Sequence, residues 1–405
     1  MQYRKLAKNG PDISLLGYGC MRFPTKAGNI DKEKTLRQLK YAYDKGVNYY
    51  DTAYPYHAGK SEVILGEFIN RNNIREKVYI ADKLPTFLVS KPEQISKYFN
   101  TQLHRLNTTY IDFYLMHALS SIEDWEKFKK FGIVEFIEKK KKTGAIRYIG
   151  FSFHGRPEEF IKIIDDYDWD FCQIQYNYLD EHHQAGKAGL KYAYKKGIGV
   201  VVMEPLRGGS LAAKAPDKVK QILEDHHDKH SPAYWALRFV MNHKEVSTVL
   251  SGMNVLDHIK ENIVVSNKTR PNSMGEADLA VIEEIKNVYK ELMKVPCTGC
   301  NYCMPCPFGV AIPDIFNEYN SKYFFGDSII NKILYIGRSV GVIGGKKAGA
   351  NQCTMCGKCV KKCPQHIKIP VKLKEAHKEL DNAFLRSLLS VVAKIPKRSN
   401  KKKKA

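Results

Sequence analysis

Eight of the ten cysteines fall in two tight arrays near the C-terminus, and this places a metal-thiolate centre at the heart of whatever that part of the chain forms. Cys297, Cys300, Cys303 and Cys306 precede Pro307; Cys353, Cys356, Cys359 and Cys363 precede Pro364. Three thiolates repeating every third residue can curl round one 4Fe-4S cube, while a fourth, carried off by the following proline, reaches a neighbouring cube. The spacing therefore predicts two clusters that each take ligands from both arrays. Cys297, Cys300, Cys303 and Cys363 are assigned to one, and Cys353, Cys356, Cys359 and Cys306 to the other. In the first array the last gap is one residue shorter than in the second, which makes Cys306 the least typical of the eight.

Structural zinc also uses cysteines two residues apart, but it favours two separated pairs over three evenly spaced cysteines and a fourth before proline. Disulfides need an oxidising compartment, and Met1 to Gly10 carries charges without the apolar core of a secretory signal, so a cytoplasmic protein is expected. Cys20 and Cys172 stand alone in apolar stretches and read as small core residues. No stretch reaches the ~18 apolar residues of a membrane span. The formal charge is +22 over 405 residues. Two oxidised cubes on eight thiolates would remove only about four of those charges. Part of the excess is local, since Lys397, Arg398 and Lys401 to Lys404 form a terminal run.

Before the cysteines, short β-rich runs alternate with amphipathic helical patterns. The candidate strands are Leu15 to Cys20, Val47 to Asp51, Val78 to Lys83, Ile111 to His117, Ile146 to Ser152, Phe171 to Tyr176, Gly199 to Met203 and Val246 to Ser251. Between them lie helical segments such as Asp31 to Lys45, Lys60 to Asn70, Pro92 to Leu106, Glu123 to Lys142 and Ala233 to His243. Eight strand-helix units in about 250 residues is the size of a (β/α)8 TIM barrel. An open doubly wound sheet would show fewer units and a glycine-rich first turn, and no G-x-G-x-x-G follows Leu15 to Cys20.

Chemistry in such a barrel collects at the C-terminal ends of the strands. Asp51 closes the second candidate strand, Tyr56 lies just past it, Lys83 closes the third and His117 the fourth. Each has a dull alternative as turn cap, packing group or solvated charge, but four reactive side chains from three successive strands form a constellation.

These residues resemble the aldo/keto reductase superfamily. Asp51-Thr52-Ala53-Tyr54-Pro55-Tyr56, Lys83 in Ala-Asp-Lys-Leu-Pro and His117 in Tyr-Leu-Met-His match its catalytic tetrad motifs, and the likeness runs through Gly150-Phe151-Ser152, Gln173 to Asn177, Glu204-Pro205-Leu206 and Ser251 to Asn262. With the cysteine arrays, the chain is similar to aldo/keto reductases that carry a C-terminal 4Fe-4S ferredoxin-type domain. The resemblance implies a nicotinamide cofactor and a small-molecule carbonyl substrate. Hydride addition to a carbonyl leaves charge on oxygen, so an acid must deliver a proton. Tyr56 is then the candidate acid, with Lys83 expected to lower its pKa, Asp51 to hold Lys83 charged and His117 to hydrogen-bond the substrate oxygen. Tyr54 is a substitute acid whose spacing from Asp51 differs from the family pattern. Ser152 and Gln173 would contact the nicotinamide amide, and Glu261 and Asn262 the adenine. In a barrel the phosphate site forms from the loops after strands seven and eight, here Arg207, Gly208, Gly209 and Ser210, then Ser251, Gly252, Met253 and Asn254. His258 stands where many relatives place an arginine for the extra phosphate of NADP, and Met203 where an aromatic commonly lies under the nicotinamide. NADP is placed ahead of NAD, with a non-nicotinamide ligand left open.

The expected organisation is a TIM barrel over 1–270, a helical connector over 271–296 containing Ala277 to Lys294, a small, mainly helical ferredoxin-like domain over 297–380, and an amphipathic helix with a basic tail over 381–405. Ala383 to Ile395 puts Phe384, Leu385, Leu388, Leu389, Val392 and Ile395 on one stripe, for which packing on the ferredoxin domain is preferred to peripheral membrane contact. No nucleic-acid binding is expected, because the terminal charge run lacks interleaved aromatics. Nicotinamide gives two electrons as hydride whereas a cube moves one at a time, and no flavin motif is evident, so a flavoprotein or other redox partner enters the reading. The leading expectation is an oxidoreductase coupling NAD(P)H-linked carbonyl reduction to electron transfer through two 4Fe-4S clusters. The alternatives are a barrel working alone above structural clusters, and an electron carrier or redox sensor whose barrel does not catalyse.

Overall fold

The computed structural model describes residues 1–6, 10–297, 299, 302–343, 346–363 and 365–394, with the side chains of 392–394 left outside. Cys300, Pro364, Ile395 and the basic run from Lys397 therefore lie outside the described residues, as does the side chain of Val392. The chain divides into two compact units: Met1–Ala213 with Leu223–Ile282, and Lys214–Ile222 with the described chain from Glu283 onward.

In the first unit eight parallel strands close into a barrel. They are β1 (Leu16–Gly19), β2 (Tyr49–Asp51), β3 (Tyr79–Leu84), β4 (Ile111–Leu119), β5 (Ile146–Phe153), β6 (Phe171–Gln175), β7 (Gly199–Met203) and β8 (Thr248–Ser251). Each pairs with the next in chain order, and β8 returns to β1 with Val249 opposite Leu16 and Ser251 opposite Tyr18. All eight candidate strands coincide with these, their ends moved by two residues or fewer. Strands covered on both faces carry near-continuous apolar runs, which is why Ile111 to Met116 is buried throughout although it contains Asp112.

Side chains alternate across a strand, so each strand has one interior parity. Tyr49, Ala81, Phe113, Leu115, Phe171, Val201 and Leu250 share one buried cluster inside the barrel, with Leu6 and Ile13 of the hairpin Tyr3–Lys5/Asp12–Ser14 packed into it. Burying each such side chain contributes about 1.5–3 kcal/mol. The hairpin fills one end of the barrel with apolar side chains and leaves the chemistry to the other.

One expected helix divides. Glu123 to Lys142 forms Ile122–Lys130 and Ile133–Lys142, because Gly132 at φ +75° interrupts the helical backbone in a conformation that costs glycine little. The connector helix runs over Glu276–Leu292. Among the described residues the second unit is helical, with Ile312–Phe325, Ile329–Val340, Ile369–Leu380 and Ala383–Lys394. Its core gathers Ile315, Phe316, Tyr319, Tyr335, Ile336 and Leu373, against which Cys297, Cys303, Cys306, Cys353, Cys359 and Cys363 pack. The last helix splits its expected stripe: Leu385 and Leu389 pack on this core, whereas Phe384 and Leu388 are exposed.

Helix Lys60–Arg71 lies so close to the end of Glu93–Leu106 that a Cβ on Gly66 would sit 2.4 Å from the Leu106 carbonyl oxygen. The obstacle is backbone and cannot swing aside. Overpacking of this kind costs about 1–3 kcal/mol, against about 1 kcal/mol of helix propensity gained over glycine. Gly66→Ala is expected to destabilise the barrel by up to about 2 kcal/mol. The check is the midpoint of its urea-unfolding transition, which should fall.

Candidate active site and cluster centre

The interior parity that builds the barrel core also aims the functional side chains. Asp51 follows Tyr49 on the inner face of β2, Lys83 follows Ala81 on β3, His117 follows Phe113 and Leu115 on β4, Gln173 follows Phe171 on β6 and Met203 follows Val201 on β7. Ladder register puts Asp51 opposite Ala81, two residues from Lys83. The Lys83 ammonium is fully buried and lies 2.7 Å from each Asp51 carboxylate oxygen and 2.7 Å from the Thr52 carbonyl. Its three donors therefore all have acceptors in reach.

Lys83 Nζ lies 5.2 Å from the centre of the Tyr56 ring. That ring is half-buried at the barrel mouth, edge-on to His117 at 6.2 Å between centroids. The turn carrying Tyr56 contains His57 at φ +50° and Ala58 at φ +55°, conformations that cost of order 1–3 kcal/mol each for residues with a Cβ. The loop after β1 holds the turn: Phe23 N–H donates to His57 Nε2 at 3.2 Å and the two rings stack. Tyr54 is engaged elsewhere, with the Arg105 guanidinium 4.2 Å from its ring centre and Tyr98 edge-on.

His117 does not end its strand as expected. β4 runs two residues further past a register shift between Met116 and Leu119, with Ala118 at φ +57°. Such bulges re-aim side chains near active sites. Ser152 secures this one, its buried hydroxyl accepting from the Ala118 N–H at 2.7 Å.

Electrostatics correct one expectation. Burial pushes the Tyr56 phenol up, and although Lys83 pulls it down, Asp51 opposes that pull, so the net shift is upward. The Asp51 carboxylate neutralises much of the charge that was expected to depress it. Burial drags Lys83 down, but Asp51 and Tyr56 more than offset this and hold it above its ordinary value. Burial also raises Asp51, with the charge and hydrogen bonds of Lys83 opposing. Burial, then Lys83, pushes His117 down to about 3, so its imidazole is neutral through the working range.

The remaining barrel residues gather at the same mouth. Gln173 donates through Nε2 to the Met203 sulfur at 3.5 Å, while its buried Oε1 has no hydrogen-bond partner among the described residues. A carboxamide N–H2 would satisfy that acceptor. Asn262 donates to Ser251 Oγ at 2.9 Å, and Glu261 accepts from Ser231 Oγ. Tyr18 donates to the Met253 carbonyl at 2.8 Å, which fixes the loop after β8. Helix Leu256–Lys268 begins without a side-chain cap, leaving its first N–H groups for an anion, and His258 is exposed in its first turn. Gly208 and Gly209 have φ of +67° and +94°, and Arg207 lies 3.4 Å from Asp180, with Ser210 opening the turn that follows.

Arg22 belongs with these and was not singled out from the sequence. It is exposed and lies against Gly208 and Gly252: a Cβ on Gly252 would meet its Cδ at 3.0 Å, and one on Gly208 its Nη2 at 3.3 Å. Its signal was position alone, three residues beyond the end of β1. Cys20 and Cys172 are buried, as expected of core residues.

In the second unit a cavity of about 410 Å3 is lined by Cys306, Cys353, Cys356 and Cys359, with Cys303 also at its wall. Phe308, Ile312, Pro370 and Leu373 supply its apolar sides. Burial pushes the Cys359 thiol up, and Cys353, Cys306 and Cys356 raise it further. Four thiols crowding one another in an apolar hole suit iron, which takes them as thiolates. Cys297 and Cys363 pack on the same core outside this cavity, and Cys300 lies outside the described residues.

Residues 15–278 match the aldo/keto reductase family and residues 296–367 match a 4Fe-4S dicluster domain. The chain is 26% identical to the oxidoreductase YqkF of Bacillus subtilis over 299 residues, covering 67% of this chain and 92% of that one. It is 23% identical to L-galactose dehydrogenase of Arabidopsis thaliana, covering 72% and 96% of the two. The fold is also that of the aldo-keto reductase AKR11C1 of Bacillus halodurans, with a TM-score of 0.59 at 24% identity over 70% of this chain and 96% of that one. With its tetrad motifs at the mouth of a closed parallel barrel and a 4Fe-4S dicluster match at its C-terminal end, the chain is an oxidoreductase of the aldo/keto reductase family.

Proposed function

We propose that the barrel reduces the carbonyl group of a small-molecule substrate with NAD(P)H and that the protein couples this reaction to electron transfer through two 4Fe-4S clusters. The observation that carries the first half is the buried Lys83 ammonium gripped by Asp51 beside the Tyr56 phenol. A nicotinamide bound at the mouth would supply hydride. Tyr56 supplies the proton from its hydroxyl to the developing alkoxide, and Lys83 limits the charge left on the phenol. Neutral His117 donates an N–H to the same oxygen and sets its approach. Gln173 and Ser152 orient the carboxamide; Arg22, Arg207, Gly208, Gly209, Ser210, Ser251, Gly252 and Met253 surround the phosphates; Glu261 and Asn262 hold the adenine. Arg22 offers a guanidinium beside Gly208 and Gly252 for an additional phosphate, which favours NADP over NAD, while His258 in place of the family's arginine counts the other way.

The raised phenol keeps Tyr56 protonated at neutral pH. Reduction needs the protonated form, so its rate should stay level through the usual histidine range near ~6.5 and fall only as pH rises through the Tyr56 pKa, above the ordinary value near ~10. Tyr56→Phe should lower carbonyl turnover by about a hundredfold or more and leave nucleotide affinity nearly intact. Steady-state rates and fluorescence titration with NADPH check this, and retained turnover would move the acid role elsewhere.

For the clusters, the residues are Cys297, Cys300, Cys303 and Cys363 in one and Cys353, Cys356, Cys359 and Cys306 in the other. Anaerobically reconstituted protein should hold about eight iron atoms and eight sulfides. Cys359→Ala should cost one cube's worth of both, and Cys20→Ala none, as read by iron and sulfide assay. Zinc without sulfide in anaerobically purified protein would sink the assignment.

The coupling needs a converter between hydride and single electrons. Mixing the holoprotein with NADPH should leave the cluster absorption unchanged on the turnover timescale unless a flavin or flavoprotein is added, whereas a chemical one-electron reductant should bleach it. Rapid bleaching by NADPH alone would show that the barrel holds such a converter.

A further inference from the structure

The dicluster region carries a charge pattern that none of the foregoing uses. From Ser328 to Lys374 the chain has ten lysines and arginines and no aspartate or glutamate. Oxidised cubes on four thiolates carry about two negative charges each, so ten cations exceed what both clusters would neutralise. Three of the ten, Lys358, Lys361 and Lys362, line the cavity ringed by Cys306, Cys353, Cys356 and Cys359. All three are exposed, and none makes an ion pair among the described residues.

Beside these lysines the cavity wall carries exposed apolar groups. Cys356 is itself exposed, and Met355 beside it and Phe308 on the cavity wall are 56% and 43% exposed. An apolar centre with a charged rim is the anatomy of a protein-protein interface. A ligand cysteine at the surface brings a cluster edge within short range of whatever docks there.

We infer that this lysine-ringed mouth is the docking surface for an acidic protein that carries electrons one at a time. The inference rests on the proposed cluster assignment and names the partner of that site. Each encounter would move one electron from the carrier to a cube, oxidising one and reducing the other, with no atom transferred. Positive charge at the rim steers an acidic carrier into place and repels cationic competitors.

The test mixes anaerobically reconstituted full-length protein with reduced flavodoxin, an acidic one-electron carrier, and follows cluster absorption by stopped flow. The wild-type rate should fall about tenfold or more between ~50 mM and ~500 mM salt. The triple variant Lys358→Glu/Lys361→Glu/Lys362→Glu should lose about tenfold or more at low salt and most of the salt dependence, with a parallel rise in Kd for oxidised flavodoxin. An excess of the small methyl viologen radical should still reduce the cubes of the variant to the same final extent. A Lys→Gln set at the same positions gives a milder version if the glutamates disturb cluster assembly. Rates and affinities within about twofold of wild type, a wild-type rate indifferent to salt, or binding to anionic lipid vesicles in place of flavodoxin would overturn the proposal. Iron and sulfide content separates the two readings. Wild-type protein that assembles no clusters undoes the functional proposal, whereas intact clusters that accept electrons from methyl viologen but not from flavodoxin undo only the docking surface.

Discussion

A fully buried ammonium decides what the barrel can do. Taking Lys83 out of water costs several kcal/mol, which only close anionic partners can offset, and Asp51 supplies two contacts of 2.7 Å. Neither residue could stand alone: removing one partner of such a pair typically costs about 3–5 kcal/mol because the other is left uncompensated. The pair exists because two adjacent strands end in register with the same parity inward, Asp51 opposite Ala81 and Lys83 two residues on. Barrel closure, strand register and the buried ion pair are thus one constraint. The pair also explains why Tyr56 is a protonated phenol: a lysine whose charge is largely neutralised cannot overcome the cost of burying a phenolate.

The barrel was legible because its strands are covered on both faces. Buried strands must be apolar runs, and eight of them recur at nearly even spacing between amphipathic helices. Asp51, Lys83 and His117 were legible for the opposite reason, being titratable groups inside those runs. What escaped was conformation that residue type does not encode. Nothing in Tyr-Leu-Met-His announces the bulge at Ala118 that turns His117 into the mouth, or Ser152 as the hydroxyl that secures it. Arg22 escaped because an exposed arginine in a loop has no pattern until Gly208 and Gly252 are seen beside it. The direction of the Tyr56 shift escaped because it is a difference between burial and two opposed charges, and burial cannot be weighed from a motif.

The cysteine arrays show the reverse balance. Spacing grouped Cys306 with Cys353, Cys356 and Cys359; these four line one cavity, but Cys303, which the spacing assigned to the other cluster, lines it too, so the cavity does not separate the two sets. The terminal helix was legible as a stripe but not in how the stripe divides: a 100° periodicity cannot tell which edge meets a core, and here Leu385 and Leu389 do while Phe384 and Leu388 do not.

A loop wound round a metal cluster has its ligands inward and therefore presents the residues between them to solvent. In the second array these are Thr354, Met355, Gly357, Lys358, Val360, Lys361 and Lys362. Side chains between ligands cannot build a core, since the ligands already occupy the inner face, so their chemistry is free to serve recognition. Lysines there lie nearer to the iron than any distant surface charge could. That placement has two effects of the same sign. Cations close to a cube would favour its reduced, more negative state, and the same cations would attract the acidic donor proposed for this surface.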